Sequence, residues 1–137
     1  MKRIILVSIF IVVSQFVWSQ SMPYRVVFDI TSGDTTDHQS LIRWINGIHN
    51  SDSTAKLEVV FYGQSLNMVL KDESVVQNDI RELIEKKAVS LKVCGAAMKR
   101  HHINKNQLLP GVEIVPDGIY EITTKQHEGW GYIKVSH

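Results

Sequence analysis

The stretch AVSLKVCGAAM, residues 88–98, decides the fold of this chain. Residues 88–93 form a largely apolar run of the kind that makes a buried strand, and the small residues that follow, ending in Met98, suit a helix. The change falls at Cys94, the only cysteine among the 137 residues. We therefore predict a strand that ends at Cys94 and leads directly into a helix.

Strand and helix alternate on both sides of this stretch. Runs rich in β-branched and aromatic residues predict four further strands, at residues 24–30, 57–62, 112–115 and 130–135. Apolar residues at helical spacing predict helices from about residue 37 to 50, at 76–87 and after residue 118, with a short helix near 64–70. Parallel neighbouring strands need crossover connections, which these helices supply. We therefore predict an α/β fold, a three-layer sandwich with a five-stranded, mainly parallel sheet.

This architecture would place Cys94 on the functional edge of the sheet, because ligands and chemistry gather beyond the carboxyl ends of parallel strands. A sulfur at a helix N-terminus also meets unpaired N–H groups and the positive end of the helix dipole, which favour thiolate over thiol. Two interpretations remain open at this point. Cys94 is either a reactive thiol or a small buried side chain that ends a strand, as free cysteine commonly is.

The first residues have the pattern of a secretory signal. Met1, Lys2 and Arg3 form a basic head, and residues 4–17 are almost wholly apolar but too short to span a bilayer comfortably. Small residues precede a predicted cleavage after Ser19. We predict a signal peptide at residues 1–19, one domain at residues 20–137 and no stable membrane anchor after cleavage; a single anchoring helix is the alternative.

Composition and charge exclude several other classes. The formal net charge of +1, with both signs interspersed, gives no basic footprint for nucleic acid. One cysteine cannot form an internal disulfide. The adjacent His101 and His102 lack the spacing of a zinc site. We predict no nucleic-acid partner, no metal site and no cofactor.

Several segments, taken in their order along the chain, resemble the DsrE/DsrF-like sulfur-relay family. They are VVFYGQSL at 59–66, CGAAMKR at 94–100, LPGV at 109–112, VPDG at 115–118 and QHEGWGY at 126–132. The resemblance implies a DsrE-like fold and assembly into trimers or hexamers. It also implies that Cys94 accepts sulfane sulfur as a persulfide, with donor and acceptor proteins or small thiols as partners. This chain has His101 and His102 where relay members tend to continue with Arg-Gly.

The resulting prediction is an exported, periplasmic sulfur carrier or sulfurtransferase with Cys94 as its catalytic residue. Such a relay needs one nucleophile and no metal. The alternative is a non-catalytic oligomeric module for small-ligand binding or assembly, in which Cys94 is structural. We also expect Trp44 and Trp130 to serve in packing. Asp29 stands in an apolar strand and would need a hydrogen-bond partner if it were buried.

Overall fold

The computed structural model describes residues 23–136; the predicted signal peptide, residues 1–19, lies outside them. In chain order the elements are β1 (Arg25–Ile30), α1 (Thr35–Ser51), β2 (Lys56–Phe61), a 3₁₀ segment (Gly63–Val69), α2 (Gln77–Glu85), β3 (Ser90–Cys94), α3 (Gly95–Arg100), a 3₁₀ turn (Lys105–Gln107), β4 (Glu113–Val115), α4 (Gly118–His127) and β5 (Gly131–Val135). This order confirms the predicted alternation. Within residues 23–136, no helix combines the length and apolar character needed to cross a bilayer.

The five strands form one sheet in the order β4-β3-β2-β1-β5, and every neighbouring pair is parallel. The last strand therefore lies beside the first, with Val27 opposite Tyr132 and Asp29 opposite Lys134. The predicted five-stranded parallel sheet is confirmed. Its strand order brings the end of the chain next to the beginning of the described part.

The larger part of the core lies on the face of the sheet covered by α1 and α2, which we call the α1 face. Because successive side chains of a strand point to opposite faces, Phe28 of β1 and Phe61 of β2 both point here and are fully buried. Leu41 of α1 and Leu83 of α2 pack against them in the same cluster. Asp34 caps α1 by accepting a hydrogen bond from the Thr36 amide at 2.7 Å, so the helix begins two residues before the predicted start.

The other face, which we call the α4 face, has a smaller core. Val27 and Val60 contact Ile122 of α4 there. Helices on both faces confirm the three-layer sandwich. Helix α4 begins after Asp117, which caps it by accepting a hydrogen bond from the Tyr120 amide at 2.9 Å. Gly118, the first residue of α4, lies directly over β3 and β2. Toward the carboxyl ends of the strands this face carries polar side chains, and these form the candidate site.

Candidate functional site

Cys94 occupies the predicted junction between strand and helix. It is the last residue of β3 and the N-cap of α3, with extended backbone. Its Sγ accepts a hydrogen bond from the Ala97 amide, with a donor–acceptor distance of 3.4 Å. The cations of the following turn, Lys99 and Arg100, are exposed. The group that the structure places on the sulfur is therefore a backbone N–H.

The thiol is buried: the side chain of Cys94 is 7% exposed. Gly118 of α4 packs on it, and a Cβ at that position would lie 3.0 Å from the Cys94 Cβ and 3.6 Å from its Sγ. Cys94 thus lies between the first turns of α3 and α4. Because a side chain at position 118 would crowd Cys94, the glycine there lets α4 pack closely over the end of β3.

Asp29 anchors a hydrogen-bonded group on the same face of the sheet. It is buried, and both of its carboxylate oxygens have partners on β5. The Tyr132 hydroxyl donates to Oδ2 at 2.7 Å, and the Lys134 Nζ donates to Oδ1 at 3.0 Å and to the Thr31 Oγ1 at 3.1 Å. The structure therefore supplies the partners that the sequence indicated a buried Asp29 would need.

Tyr62, the residue after β2, connects this group with the cysteine. Burial raises the pKa of its phenol above the ordinary value, and a hydrogen bond with Asp29 and a weaker electrostatic interaction with Cys94 raise it further. The hydrogen bond to Asp29 raises the pKa of Tyr132 to about 12. The Lys134 Nζ lies 5.5 Å from the centroid of the Tyr62 ring. Both phenols consequently keep their protons at neutral pH and act as hydrogen-bond donors.

These residues form a row across the carboxyl ends of neighbouring strands: Cys94 on β3, Tyr62 after β2, Asp29 on β1, and Tyr132 and Lys134 on β5. Asp29 holds the phenol and ammonium groups of this row, whereas the Cys94 sulfur accepts its hydrogen bond from the Ala97 N–H. Sequence reasoning identified Cys94 and Asp29 but missed the roles of Tyr62 and Lys134. The available signal was the spacing of Tyr132 and Lys134, which lie two residues apart in the last strand and so share one face of the sheet.

A second polar cluster lies at the opposite end of the α4 face. Glu58 of β2 is 2% exposed, and its Oε2 lies 3.6 Å from the Lys125 Nζ. Its Oε1 has no hydrogen-bond partner among residues 23–136. Burial raises the pKa of Glu58 to about 7; Lys125 offsets part of this effect, whereas Glu121 adds to it. The Lys125 Nζ also lies 4.8 Å from the ring centroid of the half-buried Trp130.

The histidines after α3 do not join either cluster. His101 and His102 are both exposed. In the described range, 23–136, no three His, Cys, Asp or Glu side chains come together in a way that could hold a metal ion.

Known proteins of one family are similar to this chain in sequence and fold. The model of the DsrE/DsrF-like family matches residues 25–135. The protein of unknown function MTH1491 from Methanobacterium thermoautotrophicum has 31% identity and a TM-score of 0.77, covering 81% of this chain and 98% of its own. Two further structures share the fold. The ychN protein from E. coli has 15% sequence identity and a TM-score of 0.69, covering 82% of this chain and 99% of its own. The conserved protein of unknown function BT1422 from Bacteroides thetaiotaomicron has 17% identity and a TM-score of 0.65, covering 81% of this chain and 94% of its own. No curated protein matches. The sequence resemblance is thus confirmed, and the chain belongs to the DsrE/DsrF-like family.

Proposed function

We propose that this protein carries sulfane sulfur as a persulfide on Cys94 and passes it to an acceptor thiol. The observation that supports the proposal most is the position of the thiol, at the carboxyl end of β3 and the N-terminus of α3, where its Sγ accepts a hydrogen bond from the Ala97 amide. Membership of a sulfur-relay-type family is consistent with it.

The transfer proceeds in two exchanges on sulfur. The Cys94 thiolate attacks the terminal sulfur of a donor persulfide, a new S–S bond forms at Cys94, and the donor leaves as a thiolate. An acceptor thiolate then attacks the terminal sulfur and regenerates the Cys94 thiolate. No net oxidation or reduction occurs, because one S–S bond breaks for each that forms. The Ala97 N–H remains available to the inner sulfur throughout.

We propose further that the protein acts as a homo-oligomer, a trimer or hexamer, after export to the periplasm and removal of residues 1–19. Apolar side chains next to Cys94 support the oligomer. Ile119 and Tyr120, in the first turn of α4, are 54% and 74% exposed, and Ile114 of β4 is also exposed. Sulfur donors and acceptors in this setting are partner proteins or small thiols.

The second candidate is an assembly or binding module in which Cys94 only fills space. The 7% exposure of its side chain favours this alternative, because a thiol that reagents cannot reach does not exchange sulfur.

One experiment separates the two. The purified protein is incubated with glutathione persulfide, and its intact mass and peptide map are measured beside those of a Cys94→Ser variant. A carrier gains one sulfur atom per chain at Cys94, and the variant gains none. A native protein that gains no sulfur, yet reacts fully at Cys94 once denatured, has a structural cysteine.

A further inference from the structure

The α1 face carries an apolar groove on the side of the sheet opposite to Cys94. Its volume is about 580 Å³, and it runs along α1 beside β1 and β5. The buried Phe28 and the half-buried Ile133 and Ile48 form its floor. Tyr24 and Trp44, 49% and 36% exposed, form its walls. Trp44, which the sequence indicated as a packing residue, is therefore partly exposed and lines the groove.

Gly47 keeps the groove open at its centre. It lies inside the 17-residue helix α1, where glycine is less favourable than alanine. Packing does not require a glycine here, because a Cβ at position 47 would meet no atom within 4 Å. Its backbone does not require one either, since its φ is not positive. The missing side chain instead exposes the helix backbone to whatever enters the groove.

The two ends of the groove carry side chains of opposite charge, Arg43 and Asp52. The guanidinium of Arg43 lines the groove one turn before Gly47; it donates to the Ser40 Oγ at 3.1 Å and forms no ion pair among residues 23–136. Asp52 lines the other end, nine residues further on, about 13 Å along the helix axis. Its Oδ1 accepts from the amide and hydroxyl of Thr54. Among residues 23–136, the Arg43 guanidinium therefore has no carboxylate partner at its end of the apolar groove.

We propose that this groove binds small carboxylic acids with an apolar body, with the carboxylate at Arg43 and the body along Trp44, Gly47 and Ile133. Two observations support it independently: the Arg43 guanidinium at one end of an apolar groove, and a helix-interior glycine that neither packing nor backbone conformation explains. The site is separate from Cys94, because the sheet lies between them. The proposed binding at this groove is therefore independent of whether Cys94 carries sulfur.

Octanoate serves as the probe, titrated into the full-length protein while backbone amide resonances are followed by NMR. Octylammonium and 1-octanol share its apolar chain and differ in charge. We expect shifts concentrated between residues 43 and 51 and in β5, with octanoate binding at least tenfold more tightly than octylammonium. Arg43→Gln should weaken octanoate binding about tenfold and leave octanol binding unchanged, since only the carboxylate forms a charge-assisted hydrogen bond with the guanidinium. The matched control is Arg100→Gln, which should change nothing.

Gly47→Leu tests the groove itself. It should abolish binding of all three probes, whereas Gly47→Ala, which also raises helix propensity, should weaken binding only in part. Ser51→Leu, on the next turn of the same helix face, is the second obstruction if Gly47→Leu does not fold. The proposal is overturned if octanoate causes no shifts at millimolar concentration, if octylammonium binds equally well, or if binding survives obstruction. Sedimentation that shows two copies joined through this groove, separated by Gly47→Leu, would also overturn it.

Discussion

Replacement of the buried Glu58 by glutamine should stabilise the protein, and more so as the pH rises. Burial raises the pKa of Glu58 from 4.5 to about 7, whereas the unfolded chain releases this proton near pH 4.5. The folded state therefore holds the proton more tightly, and this group makes stability fall as pH rises between about 4.5 and 7. Each tenfold difference in proton affinity corresponds to 1.36 kcal/mol. Ionised Glu58 thus costs about 3 kcal/mol of folding free energy above pH 7.

Glu58→Gln resembles the protonated carboxyl in shape and can still donate to Glu121, so it should remove this cost. Urea unfolding of both proteins at intervals from pH 5 to pH 8 measures the difference in their free energies of unfolding. We expect the advantage of the variant to grow by about 2 kcal/mol or more over this range. Glu82→Gln is the matched control: this carboxylate forms an exposed pair with Lys86, so its replacement should change stability by about 0.5 kcal/mol or less at every pH.

A difference between Glu58→Gln and the parent that stays constant from pH 5 to pH 8 would refute the reasoning. So would a variant that is less stable at pH 8. Either result would show that Lys125 compensates the buried charge in full.

Three further substitutions test other parts of the structure. Asp29→Asn should return the pKa of Tyr132 from about 12 toward 10 and cost about 1–3 kcal/mol of stability, measured by ultraviolet phenolate titration and urea unfolding; an unchanged titration would contradict the hydrogen bond. Gly118→Ala should lower the free energy of unfolding by about 1–3 kcal/mol, measured by urea unfolding, because its Cβ would lie 3.0 Å from the Cys94 Cβ and 3.1 Å from the Val60 Cγ1; an unchanged stability would contradict the close packing of α4 on β3. Gly47→Ala should raise the free energy of unfolding by up to about 1 kcal/mol, since its Cβ meets open space; a loss of stability would show that the helix is packed there.

The sequence was sufficient to predict the order of strands and helices, because the apolar periods around Phe28, Leu41 and Leu91 are local. The junction at Cys94 follows from the same local signals. The parallel sheet follows in turn, since strands joined by helices have few other ways to pair.

The composition of the site was harder to predict, because it depends on which strands become neighbours. Asp29 meets Lys134 across 105 residues only because β5 pairs with β1 at the far side of the sheet from β4. Sequence order alone does not give that placement. The burial of Cys94 depends in the same way on Gly118, which α4 brings over β3 from another part of the chain.

The most direct test of the central claim follows one labelled sulfur atom through Cys94. The native protein is loaded from a persulfide donor whose terminal sulfur is a heavy isotope, separated from the donor, and mixed with an acceptor thiol; the mass of the Cys94 peptide is measured before and after mixing. A sulfur carrier shows the heavy atom on that peptide and then loses it to the acceptor. A Cys94 peptide that never acquires the label in the native protein, but acquires it after denaturation, would contradict the claim.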